Sequence, residues 1–77
     1  MKRAKIVSTS LESVGYEAAS RTLEVEFAGG AVYQYLEVPE TELRKFMRAL
    51  SRGAYFNRHI KPRFLCLRIK LKRAVHS

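Results

Sequence analysis

The stretch that decides the fold is LEVEFAGGAVYQYL, residues 23–36. Its first part, residues 23–27, alternates apolar and acidic side chains, which predicts a β-strand with one buried and one solvated face. Its last part, residues 31–36, is rich in β-forming residues and is apolar on both faces. Between the two parts, Gly29 and Gly30 can supply the positive φ angles that tight hairpin turns require. The stretch therefore predicts an antiparallel β-hairpin.

The segment upstream of this hairpin, residues 13–17, has the composition of another strand. The short connection 18–21 makes it the neighbour of the first hairpin strand. We therefore expect a three-stranded antiparallel β-meander.

Two helices are expected after the hairpin. Pro39 suits the first turn of a helix, and an apolar stripe at positions i, i+3, i+4 and i+7 follows it. The stripe consists of Leu43, Phe46, Met47 and Leu50. A second short helix is expected to begin at Ser51 or Gly53 and to end before Pro62.

The second helix should place two apolar side chains on the core side. Phe56 and Ile60 are four residues apart, so they share a helix face, while Arg58 points to solvent. Together the two helices would cover the apolar face of the meander, which predicts an α+β fold.

The C-terminal segment has two interpretations. Residues 65–72 alternate apolar and largely basic side chains, which fits a β-strand added to the sheet. Alternatively, the segment is a detached basic arm that becomes ordered on binding. Cys66 is expected to be a small buried apolar residue.

The length and composition fit one globular domain, since 77 residues with 47% apolar and 29% charged side chains are typical of folded chains. Cys66 is the single cysteine, so no internal disulfide can form, which favours a reducing compartment and a cytoplasmic location. The sequence offers no secretory leader and no membrane span, and we expect no membrane association.

The charge is strongly segregated along the chain. Residues 1–42 carry four basic and seven acidic side chains, whereas residues 43–77 carry eleven basic and no acidic side chains. Such a field attracts polyanions, and nucleic acid is the polyanion we expect. The alternative is that these charges only solvate the surface.

The central residues resemble the KTSC domain, a family named from the C-terminal domain of some lysyl-tRNA synthetases and also found as small free-standing bacterial proteins. The features that carry the resemblance are Tyr33 and Tyr35 in a Tyr-x-Tyr pattern, the pair Val38-Pro39, and the run Ser-Arg-Gly-Ala-Tyr-Phe-Asn, residues 51–57. The resemblance covers residues 7–64, and residues 65–77 form a basic extension. It implies an α+β fold, and the synthetase context suggests RNA binding.

The candidate nucleic-acid-binding residues combine aromatic rings, which can stack on bases, with cations and an amide, which can contact phosphates and bases. They are Tyr33, Tyr35, Arg52, Asn57, Arg58, His59, Lys61, Arg63, Arg68, Lys70, Lys72 and Arg73.

Alternatives exist for several of these residues. Tyr33 and Tyr35 share one strand face, so they either stack on bases or belong to the core beneath the helices. Asn57 either contacts nucleic acid or braces the turn around Gly53. Arg44, Lys45 and Arg48 are expected only to solvate the first helix.

The sequence predicts no catalytic residues, no metal site and no cofactor. One cysteine and two separated histidines provide no recognisable metal-ligand spacing. His59 lacks a nearby carboxylate in sequence that would orient it.

Three functional hypotheses follow from these features. The first is a non-enzymatic domain that binds RNA or another nucleic acid. The second is a protein-interaction module that docks an acidic partner, or forms a homodimer through residues 65–72. The third is an RNA-processing enzyme that uses His59.

Overall fold

The structure is a computed structural model that describes residues 3–6, 8 and 10–70. These residues form five antiparallel strands and two helices. The strands lie side by side in chain order: β1 Arg3–Lys5, β2 Leu11–Glu17, β3 Thr22–Phe27, β4 Val32–Tyr35 and β5 Cys66–Lys70. Between β4 and β5 come α1, Glu40–Arg48, and α2, Arg52–Tyr55, which continues as the π-helical segment Phe56–Ile60. The α+β class agrees with the sequence prediction.

The β3–β4 hairpin forms where the sequence predicted it. Gly29 and Gly30 have φ angles of 101° and 102°, a region that is strained for other residues. The Phe27 amide donates to the Ala31 carbonyl at 2.8 Å, and the Gly30 amide donates to the Phe27 carbonyl at 2.9 Å. The two glycines therefore close the turn.

The strand register gives β2, β3 and β4 an apolar inner face and a mainly polar outer face. On the inner face, Val14 pairs with Val25 and Val25 with Tyr33, and an adjacent row contains Leu23 beside Tyr35. The outer face carries the two acidic residues of β3. Glu24 accepts a hydrogen bond from Gln34 at 2.9 Å and lies 3.2 Å from Arg3, and Glu26 accepts one from Ser13 at 2.8 Å.

The sheet is larger than the three strands expected from sequence. β1 was not predicted. It has only three residues, two of them basic, so the sequence shows no apolar alternation there. The strand is stabilised by its pairing with β2. β2 also begins at Leu11, two residues before the predicted start, and Leu11 is buried opposite Phe27.

The C-terminal strand joins the sheet, so the first of the two interpretations of residues 65–72 is confirmed for Cys66–Lys70. The Leu36 amide donates to the Leu65 carbonyl at 2.8 Å, which starts the pairing with β4. Residues 71–77 lie outside the described part of the chain. The expectation that Cys66 is buried is wrong: β5 is an edge strand, and the thiol is exposed.

Helix α1 begins after Pro39, as predicted, but ends before the last residue of the expected stripe. Ala49 has an extended conformation, with φ −62° and ψ 143°, so the helical period stops at Arg48. Leu50 therefore does not share a face with Phe46 and is fully exposed. The prediction that Leu50 faces the core is wrong.

The core lies between the inner sheet face and the helices, and Phe56 is at its centre. The Phe56 ring packs edge-on against Phe27 at 5.4 Å and against Tyr35 at 5.2 Å, and it lies 6.2 Å from the Phe46 ring. Phe56 and Ile60 are both buried, as predicted. The Lys61 amide donates to the Phe56 carbonyl at 2.9 Å, the i→i+5 bond of a π-helix.

No helix in the described residues is long and apolar enough to cross a membrane.

Replacing the central ring should bring the protein close to unfolding. Phe56→Ala should lower the free energy of unfolding by about 3–5 kcal/mol, against a total of about 5–15 kcal/mol for a typical domain. Leu50→Ala is the matched control, because an exposed side chain changes stability by about 0.5 kcal/mol or less. Urea unfolding followed by circular dichroism measures both. Equal midpoints for the two variants would contradict the packing described for Phe56.

Candidate functional site

The exposed basic residues predicted as binding residues occur in two places. Arg58, His59, Lys61 and Arg63 lie on the π-helical segment or just after it, and all four are exposed. Arg68 is exposed on β5, directly opposite Tyr33 in the strand register. Lys70 is the last residue of β5, and Lys72 and Arg73 lie outside the described residues.

The two tyrosines of the Tyr-x-Tyr pattern share the inner sheet face but differ in accessibility. Tyr35 is buried, only 2% exposed, so its ring belongs to the core and is not available for stacking. Burial, with a smaller contribution from neighbouring Cys66, raises the pKa of Tyr35 well above its ordinary value, so the hydroxyl stays protonated. Tyr33 is half-buried, and its ring packs edge-on against Phe27 at 5.5 Å.

An open cavity of about 480 Å³ lies beside Tyr33. Its wall is mainly apolar, with one cation on the rim, and its lining residues are Phe27, Ala31, Tyr33, Tyr35, Lys61 and Cys66. Because Arg68 pairs with Tyr33 across the two strands, its side chain starts from the same sheet face. The structure therefore brings Tyr33 and Lys61 together, with Arg68 adjacent in the sheet, although these three residues are far apart in sequence.

Arg52 has a structural contact that the sequence did not predict. It is half-buried, and its guanidinium donates to the Met47 carbonyl at 2.9 Å, near the C-terminal end of α1. Its Nε atom is buried without a hydrogen-bond partner among the described residues. Since part of the guanidinium binds the chain itself, Arg52 is less accessible to a ligand than the cations of the π-helical segment.

Asn57 is exposed and lines an open cleft of about 630 Å³ together with Ser8, Ser10 and Arg52. The turn before α2 is braced by Ser51, whose hydroxyl accepts from the Ala54 amide at 3.2 Å. Ser51 therefore performs the capping role that was one of the two alternatives for Asn57.

A buried carboxylate on α1 contacts residues of the second helix and of the segment that follows it. Glu42 is buried, accepts a short hydrogen bond from the Tyr55 hydroxyl, and lies 3.4 Å from the Arg63 guanidinium. The His59 ring stacks on Tyr55, with the ring centroids 4.5 Å apart. Arg63 is thus partly neutralised, which weakens its predicted role in phosphate binding.

Sequence reasoning did not identify Glu42 as a buried residue. The signal was its spacing: Glu42 precedes Phe46 by four residues, so both occupy one helix face. Because Phe46 was expected in the core, a carboxylate on that face required a buried partner.

The described residues contain no group of three or more His, Cys, Asp or Glu that could hold a metal ion. The His59 ring packs against Tyr55, and Glu42 is bonded to Tyr55 and Arg63.

Comparison with known proteins gives the family. The family model described as the KTSC domain matches residues 7–64. The crystal structure of a KTSC domain protein from Yersinia pestis superposes with a TM-score of 0.83 at 42% identity, covering 88% of this chain and 96% of that one. The chain therefore belongs to the KTSC domain family, as its Tyr-x-Tyr and Ser-x-Gly patterns indicated.

Two further relatives differ in size. An uncharacterised protein of Stutzerimonas stutzeri is 44% identical over 62 residues, which cover 80% of this chain and 87% of the relative. A lysine–tRNA ligase of Trichormus variabilis is 43% identical over 49 residues, but these are 64% of this chain and only 9% of the ligase. Small relatives thus match almost end to end, and the ligase matches over a short part.

The part-buried hydrogen bond from Tyr55 to Glu42 predicts a loss of stability at high pH. Burial, followed by the hydrogen bond to Glu42, raises the pKa of Tyr55 from 10.0 to about 12. Between these pH values the folded protein keeps a proton on Tyr55 that the unfolded chain releases. The contribution of Tyr55 to the free energy of unfolding is therefore complete below pH 10.0 and is lost as the pH rises through about 12. Tyr55→Phe should therefore show a shallower fall in unfolding free energy between these pH values.

The measurement is urea unfolding at a series of alkaline pH values for the wild type and Tyr55→Phe. Tyr35 also has a raised pKa and is present in both proteins, so the difference between the two curves reports Tyr55. Parallel curves across this pH range would show that the Tyr55–Glu42 contact does not hold the proton.

Proposed function

We propose that this protein is a non-enzymatic domain that binds RNA, or less specifically nucleic acid, through phosphate contacts. The observation that carries the proposal is a set of exposed cations, Arg58, Lys61 and Arg68, that form no ion pair within residues 10–70. Lys61 lines the cavity beside Tyr33, and Arg68 is opposite Tyr33 on β5. An aromatic ring with cations nearby suits a nucleotide, which has a flat base and a charged phosphate.

Several carboxylates of the described chain are already neutralised by other groups. Glu24 and Glu26 lie on the outer sheet face near Arg3, at 3.2 and 4.0 Å. Glu40 pairs with Arg44 at 3.5 Å, and Glu42 pairs with Arg63. The cations on the π-helical segment and β5 therefore keep their charge for an external anion.

The mechanism is phosphate neutralisation with release of counterions. Each phosphate that a cation neutralises releases condensed ions from the nucleic acid, so affinity falls steeply as salt rises. The predicted residues Arg58, Lys61 and Arg68 serve this role, while Arg52 and Arg63 are partly occupied by Met47 and Glu42.

The similarity to part of the lysine–tRNA ligases supports RNA as the polyanion, because their name specifies a tRNA. The proposed location is the cytoplasm, where an exposed thiol such as that of Cys66 stays reduced.

Fluorescence anisotropy with labelled RNA at several salt concentrations tests the proposal. The triple variant Arg58→Ala, Lys61→Ala, Arg68→Ala should bind more weakly. The slope of log affinity against log salt should fall in magnitude by roughly 2–3. Its matched control removes the same charge from α1, as Arg44→Ala, Lys45→Ala, Arg48→Ala, and should lose much less affinity. An absence of binding to RNA and DNA at low salt would refute the proposed function, and equal losses in the two triple variants would refute the assigned site.

A second candidate function is homodimerisation through β5. This edge strand and the residue before it expose three large apolar side chains: Leu65 is 79% exposed, Leu67 is 51% exposed and Ile69 is 52% exposed. Apolar side chains clustered at a free strand edge are typical of surfaces that pair with another chain. Leu67 lies opposite Gln34 and so projects from the outer sheet face. A second copy that pairs along β5 would cover part of these side chains.

Size-exclusion chromatography with light scattering tests the dimer. If β5 pairs with a second copy, the wild type has twice the mass of one chain, and Leu67→Ser, Ile69→Ser has the mass of a monomer. Leu50→Ser is the control, because Leu50 is exposed outside the strand. A monomeric wild type at high concentration would eliminate this candidate.

A further inference from the structure

We propose that the cavity beside Tyr33 receives one unpaired nucleobase, so that the ligand is single-stranded RNA or an unpaired segment of a folded RNA. This inference rests on the proposed function and adds the substrate class to it.

The cavity has the size and lining of a site for a flat apolar group. Its volume of about 480 Å³ lies within the roughly 300–1,000 Å³ that is usual for small-molecule sites. Phe27, Ala31 and Tyr33 provide an apolar and largely aromatic wall. A nucleobase offers two aromatic faces, and stacking on such a wall tolerates any base sequence.

The aromatic wall is held in place by the core behind it. Phe27 packs edge-on against both Tyr33 at 5.5 Å and Phe56 at 5.4 Å, and Phe56 packs in turn against Tyr35. Since Phe56 is buried at the centre of the core, these rings cannot reorient independently. A base would enter a preformed site and would lose little affinity to reorganisation.

The rim provides charge complementarity for the phosphates on either side of the base. Lys61 is exposed and lines the cavity directly, and Arg68 starts from the same sheet face as Tyr33. Neither forms an ion pair within the described residues 10–70. The protonated hydroxyl of Tyr35 and the thiol of Cys66 add polar groups to a wall that is otherwise apolar.

A base in a duplex cannot enter such a cavity without leaving its stack. Extruding it costs a few kcal/mol, whereas an unpaired base is free to stack on the protein. Specific recognition of RNA mostly uses unpaired bases for the same reason. The cavity therefore favours single strands, while the surrounding cations bind the phosphates of both forms.

The test measures binding of the full chain to one short single-stranded RNA that contains 2-aminopurine, and to the same RNA annealed into a duplex. Stacking on Tyr33 should quench the 2-aminopurine fluorescence, and the single strand should bind more tightly. Tyr33→Leu removes the stacking ring, and Ala31→Leu fills the cavity. Each should weaken single-strand binding by roughly 5- to 100-fold and leave duplex binding nearly unchanged.

Two further variants control for folding and for charge. Tyr33→Phe keeps the ring and should bind like the wild type, which separates stacking from any loss of packing against Phe27. Lys45 lies on α1, so Lys45→Ala should leave the preference for single strands intact. Thermal unfolding of each variant checks that the fold is retained. If Tyr33→Leu does not fold, the binding of Ala31→Leu to the single strand tests the cavity instead.

The outcomes separate this inference from the proposed function. Equal binding of single strand and duplex, with Tyr33→Leu and Ala31→Leu both unchanged, would overturn the base site and leave phosphate binding in place. Failure of the wild type to bind either RNA at low salt would overturn both. Loss of single-strand binding in both variants, with quenching abolished, is the result that the inference requires.

Discussion

The packing of Phe56 between the sheet and α1 is the interaction on which the structure depends. Its ring contacts Phe27 and Tyr35 on the sheet and Phe46 on α1, so one side chain joins three elements. In a chain of 77 residues only roughly 60% of the unfolded surface is buried, so few such contacts exist. The position of Phe56 also fixes the π-helical segment that begins with it, and therefore the direction in which Lys61 leaves the helix.

The fold also determines which charged side chains have partners and which do not. The acids of β3 face outward, where Arg3, Ser13 and Gln34 satisfy them, and Glu42 is bonded to Tyr55 and Arg63 at the helix interface. What remains is a group of cations on the π-helical segment and on β5 without carboxylate partners in the described residues. A group of unneutralised cations costs some stability through self-repulsion, and under the proposed function the binding of a polyanion offsets this cost.

The two tyrosines of the family pattern lie on one sheet face but have different roles there. Both line the cavity, but Tyr35 is buried in the core whereas Tyr33 is half-buried. Both side chains point to the same face because they are two residues apart on a strand. Tyr35 packs directly against Phe56 of the π-helical segment, whereas the ring contact of Tyr33 is with Phe27.

The sequence by itself determined the hairpin, the class of fold, the start of α1, the burial of Phe56 and Ile60, and the family. These depend on local signals: the alternation of residues 23–27, the glycines at 29 and 30, and the spacing of four between Phe56 and Ile60. The tertiary structure alone decided that β1 and β5 complete the sheet, since short or edge strands gain their stability from a partner. It also decided that Ala49 turns Leu50 outward, that Cys66 is exposed, and that Glu42 meets Tyr55. The candidate site belongs to this second group, because Tyr33, Lys61 and Arg68 come together only when the hairpin, the π-helical segment and β5 pack on one another.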